Sequence, residues 1–207
     1  MAKNTKHRIL QAALDKFNES GYFNVRLQHI ADAASMSVGN MAYHIQHKVE
    51  MFDQLYENWK AKRDLVFADL HLAPIFENFN VYIQQTFELQ QEFRFIYIDQ
   101  LELVRMSEGV RSSYQDYFKK QEEQIEILLT LHEARGALRF REQELQLSAL
   151  RLRRVIDNWM LQSSIEGKDL FDFLDFRDNI WSEIKPFFTQ VGWEEYERLV
   201  DKVLLAE

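Results

Sequence analysis

Three polar side chains fall within five residues of one another in the stretch 37–48: Asn40, Tyr43 and His44. They offer hydrogen bonds without a long charged chain, and an amide can pair with two atoms of an adenine edge. Ser37 suits a helix N-cap, and Met41 and Ile45 would form one apolar edge of a two-turn helix. So short and polar a helix is not stable by its own propensity. We therefore predict that other helices hold it from behind and that its polar face meets a partner.

Two apolar stripes upstream predict the helices that would hold this segment. One lies at helical spacing before the break 35–37 and comprises Leu27, Ile30, Ala31 and Ala34. The other is stopped by Gly21, a natural residue at a helix C-terminus, and comprises Ile9, Leu10, Ala13, Leu14 and Phe17. Three short helices around a small core, with the third presenting small polar side chains, are the geometry of a helix-turn-helix that reads a major groove.

Residues 5–52 resemble the DNA-binding domain of the TetR (tetracycline-repressor) family. The matching residues are Thr5, Ile9, Leu10, Ala12, Ala13, Leu14, Phe17, Gly21, Tyr22, Ile30, Ala31, Ala34, Ser37, Gly39, Tyr43, His44, Lys48 and Glu50. The chain departs from residues that are frequent in the family: Ser35 replaces a Gly, Val38 a Lys or Arg, Ala42 a Tyr and Ile45 a Phe. The resemblance implies a helix-turn-helix that binds double-stranded DNA.

The same resemblance implies which residues contact DNA: Gln28, Ser37, Val38, Asn40, Tyr43, His44 and Lys48. Gln28 and Asn40 would each pair with a base, whereas Tyr43 and His44 would contact backbone and sugar. Lys48, at the start of a fourth helix, resembles the lysine that clamps a phosphate. The residues alone leave two alternatives open. Tyr43 could instead pack against the fourth helix, and Gln28 could be a surface residue without a partner.

Composition and charge narrow the class of protein. The 207 residues include no Cys, which excludes disulfides and thiolate metal sites. His44 and His47 have a metal-ligand spacing, but no third ligand is near in sequence, so we predict no metal and no cofactor. Six Lys or Arg against three acids in residues 1–48 leave −11 for the rest of a chain of net charge −8. A mildly basic head on an acidic body fits a protein that presents one end to DNA. With no membrane-spanning run and no signal sequence, we expect a cytoplasmic protein.

Apolar periodicity predicts that the rest of the chain is helical. A fourth helix, at about 48–70, would join head and body, with Lys60, Lys62 and Arg63 on its solvated face. Pro74 suits the first turn of the next helix. A buried helix is predicted from Phe93 to a break at Gly109, although the composition of its first six residues also suits a strand. The remaining predictions are a loose basic arm over 1–5 and helices at about 110–134, 142–165, 170–190 and 193–205.

We therefore predict an all-α chain of about nine or ten helices in two domains. Residues 1–47 would form the helix-turn-helix DNA-binding domain, and residues 48–207 a larger effector-binding and dimerisation domain. The resemblance implies that helices near 142–166 and 170–190 pair with those of a second subunit as a four-helix bundle. A homodimer would place two heads on a palindromic operator, with half-sites about 34–36 Å apart.

The predicted function is a sequence-specific transcriptional regulator, a repressor that a small, mostly apolar effector releases from DNA. Residues of the middle helices would line the effector pocket, although each could equally fill the core: Phe93, Tyr97, Tyr117, Phe118, Trp159 and Met160. The alternative is a constitutive DNA-binding regulator without an effector. An enzyme is not predicted, because no His follows a Glu by three residues, as in di-iron bundles, and no Gly-rich phosphate loop is present.

Overall fold

The computed structural model describes residues 2–68 and 75–204, and most of that part of the chain is α-helical. It contains eleven α-helices, with a 3-10 turn before the last: α1 Ala2–Ser20, α2 Leu27–Ala33, α3 Val38–His44, α4 Lys48–Ala68, α5 Phe76–Glu92, α6 Arg94–Ile98, α7 Gln100–Met106, α8 Glu108–Ala134, α9 Glu144–Glu166, α10 Phe173–Ile184 and α11 Gln190–Leu204. Within the described residues no helix is long and apolar enough to cross a membrane. The all-α prediction is confirmed, and the alternative of a strand after Phe93 is wrong.

The first three helices form the predicted helix-turn-helix head. Ile9, Phe17, Ile30 and Met41 are fully buried between them. Gly21 ends α1 with a φ of +78°, and its amide donates to the Phe17 carbonyl at 2.8 Å. A left-handed residue of this kind is a common helix ending, and it turns the chain towards α2.

The turn between α2 and α3 passes through Ser35, which has a φ of +53°. Glycine adopts this left-handed conformation with less strain than serine does. The next amide, of Met36, donates to the Ala31 carbonyl at 3.0 Å and closes the turn. Ser35 therefore adopts the left-handed conformation that the frequent glycine of the family would favour.

The first helix is longer at its N-terminal end than predicted. It begins at Ala2, so the prediction of a loose arm is wrong for residues 2–5. No Gly or Pro stands between Ala2 and Arg8, and nothing in the sequence ends the helix earlier. The fourth helix begins at Lys48 as predicted. Its predicted end at Leu70, and the helix start predicted at Pro74, lie outside the described residues.

A junction at Asp99 divides the next predicted helix into α6 and α7. The Asp99 carboxylate accepts a hydrogen bond from the Tyr22 amide at 2.7 Å, which ties the junction to the loop after α1. The break before α8 is at Ser107, whose hydroxyl caps that helix, and Gly109 lies inside its first turn. The prediction that Gly109 ends a helix is therefore wrong, because the capping hydroxyl sets the boundary.

Pro186 divides the helix predicted over 170–190. The 3-10 turn that contains it separates α10 from α11, as the fixed φ and the missing N–H of a proline predict for a residue that bends or ends a helix. Thr189 Oγ1 accepts from the Gly192 amide at 3.3 Å in the first turn of α11. A Cβ at Gly192 would lie 2.3 Å from the Ala137 carbonyl oxygen, so only glycine allows this close approach. The predicted end of the last helix, at residue 205, lies outside the described residues.

Head and body pack against each other through α1 and the chain around α6. The rings of Phe17 and Phe95 are 5.3 Å apart. The Asn18 amide donates to the Glu92 carbonyl at 2.8 Å, and its oxygen accepts from the Phe95 amide at 3.1 Å. Because α4 packs against both α1 and α5, the domain boundary between residues 47 and 48 stays a prediction.

Candidate nucleic-acid interface

The third helix has one buried edge and one exposed polar face. Met41 and Ile45 are 0% and 1% exposed, so the predicted apolar edge is confirmed. The Ser37 hydroxyl accepts from the Asn40 amide at 3.1 Å and fixes the start of the helix. Tyr43 is 87% exposed, so the alternative that it packs against the fourth helix is wrong.

The side chains on the outer face of α3 are open to a partner. Asn40 is exposed, and its side-chain amide has no hydrogen bond within the described residues. The rings of Tyr43 and His44 are 5.3 Å apart and nearly perpendicular, which spreads a phenol and an imidazole over one surface. Val38 is half-buried at the first position of the helix. An exposed amide beside aromatic and apolar groups can pair with a base edge and contact the sugar-phosphate backbone.

Gln28 lies exposed on α2 and is held by a neighbour on its own helix. Its Nε2 donates to Asp32 Oδ1 at 2.6 Å. Gln28 is therefore a surface residue with a partner on its own helix, and its contact with a base stays a prediction. This pair has the i, i+4 spacing of helix neighbours, a signal that was present in the sequence. The second amide proton and the Gln28 oxygen remain available to an adenine edge.

Lys48 holds the head together as well as presenting a positive charge. Its Nζ donates to the carbonyls of Tyr22 and Val25, both at 2.8 Å, and lies 4.3 Å from the centre of the Tyr22 ring. Burial lowers the pKa of Lys48. Two of its three protons are thus used to join the loop after α1 to α4, and one is left for a phosphate. The carbonyls lie 26 and 23 residues away, so sequence spacing did not reveal this role.

The six residues predicted to line an effector pocket lie in the body and are largely buried. The Tyr97 hydroxyl accepts from Trp59 Nε1 at 3.0 Å, and the Tyr117 hydroxyl donates to Asp157 Oδ1 at 2.9 Å. Trp159 packs elsewhere, with its Nε1 donating to Asp175 Oδ2 at 2.8 Å. The remaining three are two buried residues and one half-buried one: Phe93, Met160 and Phe118. The structure brings Tyr97 and Tyr117 together around Trp59, and the pocket stays a prediction.

Several polar residues are buried inside the body, and sequence reasoning missed some of them, Arg63, Gln90, Ser148 and Asp157. Arg63 was expected on the solvated face of α4 but is 7% exposed, because it packs on the rings of Trp59 and Tyr117 at 4.9 and 4.8 Å. Other buried polar residues of the described body are Thr86, Gln90, Gln121, His132, Ser148, Asp157 and Ser163. One signal was available, since Thr86 and Gln90 continue the spacing of Tyr82 along a mostly apolar helix.

The helix-turn-helix head and its exposed third helix define a DNA-binding regulator. A family model described as TetR, bacterial transcriptional repressor, matches residues 65–196, which is more than half of the chain. The chain therefore belongs to the TetR family, whose members are DNA-binding transcriptional regulators. No curated protein sequence matches it significantly.

Solved structures share the fold over both parts of the chain. A TetR-family transcriptional regulator from Marinobacter aquaeolei VT8 has a TM-score of 0.81 at 20% identity, over 95% of this chain and 97% of that one. A putative transcriptional regulator from Saccharomonospora viridis, in complex with choline, has a TM-score of 0.66 at 21% identity, over 87% and 95%. The fatty acid degradation regulator FadR from Bacillus halodurans has a TM-score of 0.62 at 18% identity, over 87% and 95%. These likenesses extend the family fold to the head, which the family model does not match.

Proposed function

We propose that the protein is a dimeric repressor that binds a palindromic operator through α3 and is released by a small effector bound in the body. The observation that carries this proposal is the exposed polar face of α3, with Tyr43 87% exposed above a fully buried Met41. A helix fixed from behind and polar in front is suited to enter a major groove.

The exposed residues divide into base readers and backbone contacts. Asn40 and Gln28 have amides that fit an adenine edge, and Val38 can contact a thymine methyl group. Tyr43 and His44 would contact sugar and phosphate. Ser37 and Lys48 could also donate to phosphates. In the hydrogen bonds described above, Ser37 Oγ and Lys48 Nζ each keep one proton unused.

Apolar side chains on the surface of α9 and α10 support the proposed dimer. Leu147 and Ile165 on α9 are 53% and 78% exposed, and Leu174 on α10 is 48% exposed. Exposed apolar side chains on adjacent helices are typical of a surface that another subunit covers. Pairing two copies through these helices would double the DNA contact of one small head.

The chain around α6 offers a route from the body to the head. Phe95 packs against the head at Phe17, and Asp99 holds the Tyr22 amide, while Tyr97 between them points into the body. An effector that binds one position of α6 better than another would therefore change the position of the head.

Selection of bound sequences from randomised duplexes tests the DNA-binding part of this proposal. The purified full chain should select a palindrome, and Asn40→Ala should relax the preference at one position of each half-site. The expected loss is about 1–3 kcal/mol at the contacted base, because a bidentate hydrogen bond disappears.

A matched control exists on α1, where Gln11 donates to Asp15 in the same i, i+4 arrangement as Gln28 and Asp32. Gln28→Ala should change the selected sequence, whereas Gln11→Ala should not. Equal selection by all three variants and the wild type would remove Asn40 and Gln28 from the reading surface.

A further inference from the structure

Three buried polar residues follow one another along successive turns of α5. Tyr82, Thr86 and Gln90 are 2%, 6% and 0% exposed. The Tyr82 hydroxyl, the Thr86 hydroxyl and the Gln90 side-chain oxygen have no hydrogen-bond partner among the described residues. A buried polar atom without a partner is unfavourable, and proteins hold few of them. Three at i, i+4 and i+8 form one polar stripe on the inner side of α5.

Two side chains from other helices bring further unpaired donors to the same interior. Arg63 on α4 uses Nε and Nη2 for Asp64, whereas its buried Nη1 has no partner in the described part of the chain. The Tyr97 hydroxyl on α6 accepts from Trp59, and its own proton meets no acceptor that the structure describes. Arg63 and Tyr97 both lie against the ring of Trp59.

One carboxylate, that of Asp157 on α9, lies at the base of this interior and is fully used. It accepts from the Tyr117 hydroxyl at 2.9 Å and from Arg153 at 3.4 Å. With the Gln121 amide turned towards it, the amide nitrogen donates to Asp157 Oδ2 at 2.8 Å. Asp157 therefore hydrogen-bonds to other partners, and the groups on α4, α5 and α6 stay unpaired.

The unpaired groups differ in their hydrogen-bonding chemistry. Arg63 Nη1 can only donate, the Gln90 oxygen can only accept, and the hydroxyls of Tyr82, Thr86 and Tyr97 each carry a proton that can be donated. Convergent donors with one guanidinium suit a singly charged anion that accepts several hydrogen bonds. The surroundings are aromatic, because Arg63 packs on the rings of Trp59 and Tyr117, which also contact each other. An apolar or aromatic body attached to the anion would pack against them.

We propose that these five residues, the polar cluster of Arg63, Tyr82, Thr86, Gln90 and Tyr97, bind a small monocarboxylate with an aromatic or aliphatic body. The carboxylate would accept from Arg63 and the hydroxyl groups, and the body would lie among the aromatic rings. That the monocarboxylate is the effector rests on the proposed function. Binding itself does not, because it is measured without DNA.

Titration of the purified full chain with matched pairs of compounds tests the class of ligand. Benzoate, phenylacetate and octanoate serve as carboxylates, their primary amides as neutral controls, and choline as a cation. Binding is followed by tryptophan fluorescence, since Trp59 borders the cluster, and by the rise in melting temperature. At least one carboxylate should bind, with its amide about tenfold weaker or more.

Two variants, each with a control, assign the binding to the cluster. Arg63→Gln should weaken carboxylate binding about tenfold or more, whereas Arg94→Gln, which removes a guanidinium stacked on Phe171, should leave it unchanged. Tyr82→Phe should weaken it severalfold without lowering the melting temperature of the free protein, because the hydroxyl lost has no partner. In Tyr56→Phe the hydroxyl lost is bonded to Ser113, and carboxylate binding should persist.

The inference is overturned if no carboxylate binds up to about 10 mM, a concentration that corresponds to negligible affinity. It is equally overturned if the amides or choline bind as well as the carboxylates, or if Arg63→Gln and Tyr82→Phe bind like the wild type. Duplex binding is measured on the same preparation. A protein that binds its duplex but no carboxylate refutes this inference alone, and one that binds carboxylate but no duplex refutes the proposed function alone.

Discussion

The outer face of α3 and the inner stripe of α5 carry similar side chains in opposite surroundings. On α3, the amide of Asn40 and the phenol of Tyr43 are exposed to solvent. On α5, the phenol of Tyr82 and the amide of Gln90 are buried, each with an atom that lacks a partner in the described structure. Water can hydrogen-bond to the exposed groups of α3 until a macromolecule replaces it. The buried groups of α5 need a partner small enough to enter the body. This difference in surroundings is the reason that we propose DNA as the partner of the head and a small molecule as the partner of the body.

The difference arises from how many sides of each helix are covered. Two turns of α3 rest on a single apolar edge, so its other side chains stay outside. The longer α5 is covered by α4 and α10 among others, and its apolar side chains pack on one side against Trp181. Its polar stripe therefore faces the other helices of the body, and burial rather than residue type distinguishes the two recognition surfaces.

The largest effect is expected from a substitution that removes a contact between the head and the body. Phe95→Ala removes a ring that is 1% exposed and packs against Phe17 of the head. The free energy of unfolding in urea should fall by about 3–5 kcal/mol, as for large aromatic residues in a core. Phe171→Ala, at a residue 62% exposed, is the control and should change it by less than about 1 kcal/mol. A loss below about 1 kcal/mol for Phe95→Ala would mean that head and body are not energetically joined at α6.

The second effect isolates a charge inside the body. Burial raises the pKa of Asp157 to about 7, against about 4 in an unfolded chain. The folded state therefore retains a proton that the unfolded state has lost, and the associated stability, present below pH 4, is lost as the pH rises to about 7. Asp157→Asn should remove this pH dependence. The difference in unfolding free energy between the variant and the wild type should therefore rise from pH 4 to pH 8, by at most about 4 kcal/mol.

Urea unfolding of the wild type and Asp157→Asn at pH 4, 6 and 8 measures this difference. Asp32→Asn, at an exposed carboxylate of the head, is the control and should change the stability by no more than about 0.5 kcal/mol. A difference between the wild type and Asp157→Asn that stays constant with pH would show that the pKa of Asp157 is the same in the folded and the unfolded protein.

The smallest of the three effects concerns the lysine that serves both structure and binding. Lys48→Met removes the hydrogen bonds to the Tyr22 and Val25 carbonyls, and unfolding should become easier by about 1–3 kcal/mol. The affinity should fall by about the same factor for every duplex sequence, because a phosphate contact carries no sequence information. Thermal unfolding separates the first effect from the second, and a binding change confined to one base position would contradict the phosphate role.

The head was largely predictable because its signals are local. The cap at Ser37, the apolar edge of α3 and the glycine that ends α1 lie beside the elements they define. The body depends on contacts between distant residues, such as Asp99 with Tyr22, which divides α6 from α7. Periodicity likewise failed at Arg63, because the rings that cover a charged side chain come from different helices.

We propose that exposed polar residues of α3 bind DNA and that buried polar residues of α5 do not. Fluorescence anisotropy with a labelled duplex from the selection tests it on three proteins in the absence of effector: the wild type, Asn40→Ala and Tyr82→Phe. We predict that Asn40→Ala binds about 5- to 150-fold more weakly and that Tyr82→Phe binds like the wild type. An equal loss in both variants, or no loss in Asn40→Ala, would contradict the claim.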